Sequence, residues 1–374
     1  MNTPRLKAVQ PADLPNLLGI LTEGFPSHSR AQWEQRFETW WKNNPFLKPG
    51  MPIGWALEDR QSAFVGFMGS VPVKFLVNGR EDTAVAASSW YVKPSFRGVY
   101  SLSFLLAFLR QQTPGLFLST TPTETVAQIL RQLDFASLEF PFRSKEYWLV
   151  LRVDDILGHV VRRYFKTARP WPLPDLAKIP FQALWRLYHL PRNKSLARYQ
   201  NARYRSSLVS SCDGSFTELW ESSRKEETTT LYRDAETLNW LLSSRDEEGS
   251  RMLIQCTDTR EHRIKGYMLF DLDLPDGASS QIMHLKDLFL PSFEEEALLC
   301  MIAYAIGLAK ERNISLLKLW ATNTETDRVL SKHIPFQKAV AYPYLYKFGQ
   351  AVRASIAPNQ AIIPSLIDPD RGLI

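Results

Sequence analysis

Hydrophobic positions in the first 92 residues predict one strand, two helices and three further strands. Arg5 to Val9 is the first strand-like run. Apolar side chains then recur at helical spacing up to Leu21, and again from Arg30 to Trp41. The turn sequence Asn78-Gly79 is typical of a β-hairpin between the last two strands. The three further strands are predicted over Ile53 to Leu57, Ala63 to Leu76 and Thr83 to Val92.

The second predicted helix carries an aromatic stripe. Trp33, Phe37, Trp40 and Trp41 follow one another at i, i+4, i+7 and i+8, which places them on one helical face. Packing in the core explains this stripe, and a stacking platform for a base or a sugar is the alternative.

Residues 92–109, VKPSFRGVYSLSFLLAFL, change from a strand to a strongly apolar helix. A helix N-terminus presents backbone N–H groups and the positive end of the helix dipole, so it can bind phosphate. Lys93 and Arg97 add positive charge here, and Gly98 lets the backbone turn. An ordinary strand-to-helix turn with a surface arginine fits the same residues. After it the pattern predicts a strand over Gly115 to Thr120, a helix over Glu124 to Leu133 and a closing strand over Tyr147 to Val153.

The second half repeats this order of predicted elements. Its strand-to-helix turn differs, because Ser292 and Glu295 form a capping-box pattern and Glu294 to Glu296 place three carboxylates in the first turn. These charges would repel a pyrophosphate. The strands are predicted over Arg251 to Cys256, Arg263 to Leu272, Gln281 to Leu290, Ser315 to Ala321 and Ala341 to Phe348, and the later helices over Ser292 to Arg312 and Glu325 to His333.

Length and charge divide the chain further. At 374 residues, two domains are expected. We predict an N-terminal domain over 1–152, a connector over 153–210, a C-terminal domain over 211–350 and an irregular tail over 351–374. Residues 152–205 hold 12 Lys or Arg against three Asp, a net charge of +9, beside +6 for the whole chain. This basic, aromatic stretch is compatible with an anionic membrane surface, with nucleic acid, or with a plain connector between domains.

Cysteine and histidine placement indicates neither a disulfide framework nor a metal site. The three cysteines are far apart in sequence, and the six histidines fit no metal-ligand spacing. The N-terminus lacks the apolar core of a signal peptide. We therefore expect a cytoplasmic protein, with peripheral membrane association open.

The order of elements, together with Val92, Pro94, Phe96, Arg97 and Gly98, resembles the GNAT N-acyltransferase superfamily. The helix that ends in Leu133-Asp134-Phe135 is similar to the helix before the family's last strands. The resemblance covers about residues 4 to 152, and the second half looks like a degenerate copy. It implies an α/β (α+β) fold of two GNAT-like units, each a mixed, mostly antiparallel sheet flanked by helices.

The resemblance also implies where acetyl-CoA or another acyl-CoA would bind. Tyr100 and Leu102 stand where the family usually has two small residues, and a one-residue shift would let Ser101 and Ser103 serve instead. The family's usual glutamate and tyrosine are missing, so hydroxyl groups near the turn become the catalytic candidates. These candidates are Ser88, Ser89, Tyr91 and Tyr100, and the cofactor candidates are Val92, Arg97, Gly98, Val99, Tyr100 and Ser101.

The function predicted from this resemblance is transfer of an acyl group from acyl-CoA to an amine or hydroxyl. Acetyl is the acyl group that we expect first. The acceptor would be a small molecule, a saccharide or a peptide. One alternative is a Fem-like aminoacyl transferase that uses charged tRNA. Another is a non-catalytic scaffold at the membrane in envelope or polysaccharide assembly.

Overall fold

The computed structural model describes most of the chain outside the basic connector. The described residues are 3–77, 79–111, 114–137, 145–153, 155, 194–199, 201–224, 228–243, 251–273, 281–334, 336–339, 344–353 and 361–363. The predictions for the basic stretch therefore lie largely outside the described residues. No helix within these ranges is long and apolar enough to cross a membrane.

The described elements follow the predicted order closely in the first half of the chain. The helices are α1 (Leu14–Gly24), α2 (Arg30–Phe37), α3 (Val99–Leu109) and α4 (Glu124–Gln132). The strands are β1 (Arg5–Val9), β2 (Gly54–Glu58), β3 (Phe64–Val77), β4 (Arg80–Val92), β5 (Leu116–Ser119), β6 (Ala136–Ser137) and β7 (Lys145–Val150).

The second half adds elements that the pattern did not predict, namely the strands at 204–209, 228–231, 337–339 and 361–363 and the short helix at 350–353. The helices are α5 (Gly214–Ser223), α6 (Ala235–Leu242), α7 (Glu295–Glu311), α8 (Thr324–His333) and α9 (Gln350–Arg353). The strands are β8 (Tyr204–Val209), β9 (Thr228–Leu231), β10 (Arg251–Asp258), β11 (Arg263–Asp273), β12 (Ile282–Phe289), β13 (Leu316–Trp320), β14 (Gln337–Ala339), β15 (Leu345–Phe348) and β16 (Ala361–Ile363).

The chain forms two compact units that are each built from several segments. The first comprises Met1–Glu139, Trp220–Asp246 and Tyr342–Ile374, and the second comprises Phe140–Leu219 and Glu247–Ala341. These units differ from the contiguous domains predicted over 1–152 and 211–350. The tail over 351–374 is not wholly irregular either, because β16 pairs with β9 in the first unit.

The two sheets share one strand order. The first runs β1-β2-β3-β4-β5-β15-β6, with β9 on β3 and β16 on β9, and the second runs β8-β10-β11-β12-β13-β7-β14. Along each of these seven-strand orders the described fourth and fifth strands pair in parallel, β4 with β5 and β12 with β13, and outside the order β16 pairs in parallel with β9. Each therefore has a parallel step joined by a crossover helix, α3 in the first sheet and α7 in the second.

Each sheet also receives one strand from the other half of the sequence. The predicted closing strand of the first half, β7, lies between β13 and β14 of the second sheet. The last predicted strand of the second half, β15, lies between β5 and β6 of the first sheet. The sequence predicted both strands but not their partners, because a strand's hydrophobic pattern does not specify which sheet it joins.

The aromatic stripe of α2 packs into the first unit. Ser29 caps the helix and forms a capping box with Gln32. The helix then widens into a π-turn over Glu38–Lys42, and Trp33, Trp40 and Trp41 are all buried. Trp41 Nε1 donates to the Ser70 carbonyl at 2.9 Å. Trp41 is therefore a core residue, as the packing interpretation of the stripe predicts.

On α3, Phe104, Leu105 and Phe108 are buried in an apolar cluster with residues from β2 to β5 and α4. Burial of one such aromatic side chain contributes about 1.5–3 kcal/mol. This packing fixes the helix whose N-terminus faces the end of β4.

Candidate functional site

A fork opens between β4 and β5. The two strands pair from Ala84 with Leu116 to Ala86 with Leu118, although β4 continues to Val92 and β5 ends at Ser119. The second half of β4 therefore extends beyond its ladder with β5.

A β-bulge distorts β4 inside this fork. Ser88 lies opposite Gly69, whereas Tyr91 lies opposite Phe67, so β4 has one extra residue. Ser89 takes a left-handed backbone conformation with φ of 53°, which is uncommon for a residue other than glycine. A bulge leaves one residue unpaired and redirects the strand. The bulge thus turns part of β4 away from β3.

A cavity of about 240 Å³ lies at the same place. Ser88 and Ser89 contribute to its wall from β4, and Ser119 and Thr121 contribute from the end of β5. The remaining wall includes side chains from α2 and the segment before it, chiefly Phe25, His28, Trp33, Arg36 and Trp40. The structure thus brings two predicted catalytic residues, Ser88 and Ser89, to a cavity that also includes Trp33 and Trp40 of the predicted aromatic stripe.

His28 and Arg36 are the titratable side chains among the described residues of this wall. Burial lowers the pKa of His28 below its usual 6.5, and the positive charge of Arg36 lowers it further. His28 Nδ1 lies 2.9 Å from Ser27 Oγ. The imidazole is therefore mainly neutral near pH 7 and can accept a proton.

The turn after β4 has the geometry that glycine permits. Pro94–Phe96 forms one turn of 3₁₀-helix, and Gly98 then caps α3 with φ of 92° and ψ of −121°. A side chain at this φ would be strained whatever the space around it. Arg97 Nε donates to the Val92 carbonyl at 3.0 Å. The arginine thereby braces the turn between β4 and α3.

Tyr100 and Leu102 stand where the family motif usually has two small residues. Tyr100 packs against the apolar cluster of the first unit, and Leu102 is exposed. Val99 is 82% exposed, and Ser101 N donates to the Gly98 carbonyl at 3.0 Å. The first turn of α3 is thus open to solvent on the side of Val99 and Leu102.

Tyr91 and Lys93 both bind Glu23, at the end of α1. Tyr91 OH donates to Glu23 at 3.2 Å, and Lys93 Nζ lies 2.9 Å from the same carboxylate. The Tyr91 ring packs on Gly24, where any Cβ would clash with it. The pKa of Glu23 is lowered, first by its hydrogen bond with Lys93. Tyr91 therefore has a structural partner outside the cavity, and Lys93 is already ion-paired.

Sequence reasoning missed His28, Arg36, Ser119 and Thr121. They come from three segments that β-sheet pairing and helix packing bring together. His28 precedes α2 and Arg36 lies on it, whereas Ser119 ends the short strand β5 and Thr121 follows that strand. A local pattern has no signal for such long-range proximity.

The corresponding turn of the second unit is acidic. Glu294 stands at the N-cap position of α7, and its carboxylate accepts from Arg203 at 3.0 Å and from the Tyr204 hydroxyl. Glu295 accepts from Arg328 at 3.0 Å and from Lys332 at 3.1 Å. The predicted capping box between Ser292 and Glu295 is wrong, because α7 begins only at Glu295. The N-terminus of α7 is therefore occupied by the protein's own ion pairs.

The strand β7 brings a buried carboxylate into the second unit. Glu146 Oε1 lies 3.4 Å from His284 Nε2, and Glu146 Oε2 accepts from Trp148 Nε1 at 2.6 Å. Burial opposes ionisation of Glu146. The interactions with His284, Lys318 and Trp148 outweigh burial and lower its pKa to about 2.

Fold comparison shows that the chain is similar in fold to GNAT-type acyltransferases, with two acyltransferase-like units. One similar structure is a conserved protein of unknown function from Enterococcus faecalis V583, described as a probable N-acyltransferase. It has a TM-score of 0.58 and 12% identity, and the match covers 94% of this chain and 73% of that one.

Two further structures show the same fold. A GCN5-related N-acetyltransferase from Anabaena variabilis ATCC 29413 gives a TM-score of 0.56 at 12% identity, over 94% of this chain and 74% of that one. N-myristoyltransferase of Saccharomyces cerevisiae, with bound myristoyl-CoA, gives a TM-score of 0.54 at 13% identity. That match covers 92% of this chain and 82% of the other one. No protein-family model matches the chain, and no curated protein sequence matches it.

Proposed function

We propose that the first unit transfers an acyl group from a coenzyme A thioester to an amine or hydroxyl acceptor. One observation carries this proposal: β4 has a bulge at Ser88 and Ser89, and the same strand leads to the N-terminus of α3, which Gly98 caps. A donor that is an extended chain ending in phosphates needs such an open strand edge followed by an anion site. The fold of the similar structures supports the same reaction class.

In this proposal the pyrophosphate of the donor lies at the N-terminus of α3. Gly98 lets the backbone turn there, and the exposed Val99 and Leu102 leave the approach open. Arg97 adds charge nearby. The pantetheine arm would follow β4 past Ala86, where the ladder with β5 ends.

His28 is the proposed general base for the transfer. If its Nδ1–H donates to Ser27 Oγ, its Nε2 carries the lone pair that takes a proton from the attacking amine. The amine nitrogen first adds to the thioester carbonyl, which forms the C–N bond and a tetrahedral oxyanion. The C–S bond then breaks, and the proton taken by His28 passes to the coenzyme A thiolate, which leaves as a thiol. Backbone N–H groups at the bulge would stabilise the oxyanion that forms between these steps.

We further propose that the second unit does not bind the donor. The N-terminus of α7 holds Glu294 and Glu295, each bound to basic side chains of its own unit. A pyrophosphate there would have to displace these ion pairs and approach three carboxylates. In this respect the second unit is a degenerate copy.

Isothermal titration calorimetry with coenzyme A and acetyl-CoA tests the proposal. We expect binding by the intact protein and loss of affinity in Arg97→Ala, which removes the brace to Val92 and a positive charge. Lys347→Ala, in which a cation far from α3 in sequence is removed, is the control for general charge effects. If neither compound binds, the proposed function is wrong and a non-catalytic role is favoured.

A further inference from the structure

Two tryptophans in the cavity wall hold buried N–H groups that have no hydrogen-bond partner. Trp33 and Trp40 are each only 1% exposed, both line the cavity, and neither indole nitrogen has a partner among the described residues. Buried donors are nearly always paired in native proteins. Donors left unpaired in the wall of a cavity indicate that something in the cavity accepts from them.

Neighbouring tryptophans show that packing here does not generally leave indoles unpaired. Trp41 Nε1 donates to the Ser70 carbonyl at 2.9 Å, and Trp240 Nε1 donates to the Thr39 carbonyl at 3.0 Å. Both belong to the same aromatic region of the first unit. Trp33 and Trp40, whose indole N–H groups lack such a carbonyl partner, both line the cavity.

Charge at the cavity favours an anion. The Arg36 guanidinium lies 4.8 Å from the Trp33 ring centroid and 5.4 Å from that of Trp40. No aspartate or glutamate is among the described residues of the wall, and the positive field of Arg36 is felt by His28. A buried guanidinium beside indole N–H groups and serine hydroxyls is a set of donors, which suits a planar oxyanion.

Resting on the proposed function, we infer that the acceptor is an amine that carries a carboxylate, and that this carboxylate binds among Trp33, Arg36 and Trp40. A cavity of about 240 Å³ is smaller than the usual range for a whole drug-sized ligand. It holds the head of a small molecule such as a free α-amino acid. The amine of that molecule would then lie near His28 and the bulge of β4.

Matched acceptor pairs test this inference. Phenylalanine and phenethylamine differ only by the carboxylate, and so do leucine and isoamylamine. With acetyl-CoA as donor and thiol release as the readout, we expect kcat/KM to be at least about tenfold higher for the amino acid of each pair, as loss of charge-assisted hydrogen bonds predicts. Binding of each compound, followed by thermal shift of the intact protein, gives a readout independent of turnover.

Conservative variants separate recognition from packing. Trp33→Phe and Trp40→Phe keep an aromatic ring and remove the N–H, so KM for the amino acid should rise about tenfold while KM for the matched amine stays unchanged. Trp41→Phe is the control, because its N–H serves the Ser70 carbonyl and the preference for the carboxylate should persist.

Three results would overturn the inference: equal kcat/KM within each pair, equal effects of Trp33→Phe and Trp40→Phe on both members, or no thermal shift with either amino acid. If acetyl-CoA binds and is turned over while the pairs behave alike, only this inference fails. If acetyl-CoA itself does not bind, the proposed function fails with it.

Discussion

The two units share a strand order but differ at the turn that follows the fourth strand. In the first unit the turn ends at Gly98 with positive φ and leads into a helix whose first turn is apolar and exposed. In the second unit Glu294 precedes the helix and Glu295 begins it, and the two carboxylates are held by Arg203, Arg328 and Lys332. The same topology therefore ends in an exposed helix start without acidic side chains in one unit and in a helix start neutralised by the protein's own ion pairs in the other.

This difference shows that topology and site chemistry are specified by different residues. The sheet order depends on apolar positions distributed over whole strands. The chemistry of the turn depends on a few residues that contribute little to the core, and these can change without changing the fold.

The largest effect on stability should come from disrupting β7 and β15, the strands that each sheet receives from the other half of the sequence. Tyr346→Pro in β15 and Leu149→Pro in β7 each place a proline inside a strand that has partners on both sides. Each should cost about 3 kcal/mol or more, seen as a lower midpoint in urea unfolding. Arg5→Pro, at the first residue of the edge strand β1, is the control and should cost far less. Equal effects of all three would show that the exchanged strands are not central to their sheets.

The buried carboxylate of β7 gives the next largest effect and depends on pH. Because its folded pKa is about 2 and the ordinary value is 4.5, Glu146 stabilises the folded state above pH 4.5, and this contribution is lost as pH falls toward 2. Glu146→Gln should destabilise the protein by about 1.5–3 kcal/mol at pH 7, as expected on weakening hydrogen bonds to a buried charged group. The variant should also show a flatter loss of stability between pH 5 and pH 3. A wild-type and variant difference that is constant with pH would contradict this.

Gly98→Val sharpens the comparison of the two turns. A β-branched residue at φ of 92° costs about 1–3 kcal/mol of strain, so the turn should rearrange and affinity for coenzyme A should fall about tenfold or more. Ser292→Val, at the corresponding turn of the second unit, should leave affinity unchanged. Calorimetric Kd values would decide, and a loss in Ser292→Val would point to donor binding in the second unit.

A smaller effect is expected on the pH profile of the reaction. Because burial and Arg36 lower the pKa of His28, the acid limb of kcat/KM should lie below pH 6.5, with activity rising as His28 loses its proton. Arg36→Met removes a positive charge and should move that limb to higher pH. A limb that stays in place would exclude His28 as the base.

The smallest effect is expected at the acidic helix end of the second unit. Glu295→Gln removes ion pairs to two exposed cations, Arg328 and Lys332, and such surface pairs contribute about 0–1 kcal/mol. Thermal unfolding should shift by no more than a few degrees. If coenzyme A affinity increased in this variant, the carboxylate would be shown to exclude the donor from that turn.

Much of the fold was predictable from local pattern. The three-strand meander, α3 and α4, and the long helix α7 all lie close to their predicted positions, because their periodicity and turn residues agree. The strand β8 was not predicted, since its alternation was hidden in a basic stretch. Pairing of β7 and β15 could not be predicted, because each has the same aromatic, alternating character and would fit either sheet.

Prediction of the site was more uneven. Ser88 and Ser89 do line the cavity, and Gly98 does adopt the conformation that favours glycine. Tyr91 and Tyr100 pack elsewhere, because strand alternation and helix phase point them toward Glu23 and the apolar cluster. His28 and Arg36 lie some 50 residues or more before the bulge in sequence, and only tertiary packing brings them to it.

The position of β15 in the first sheet also constrains the order in which the protein can mature on the ribosome. The edge of β5 receives its neighbour only after residues 345–348 have been made, about 200 residues after β6. At roughly 5–20 residues per second this interval lasts about 10–40 s. During that time an unpaired strand edge is exposed to other nascent chains. Completion of the first sheet is thus a late event in synthesis, although most of its strands are among the earliest segments to emerge.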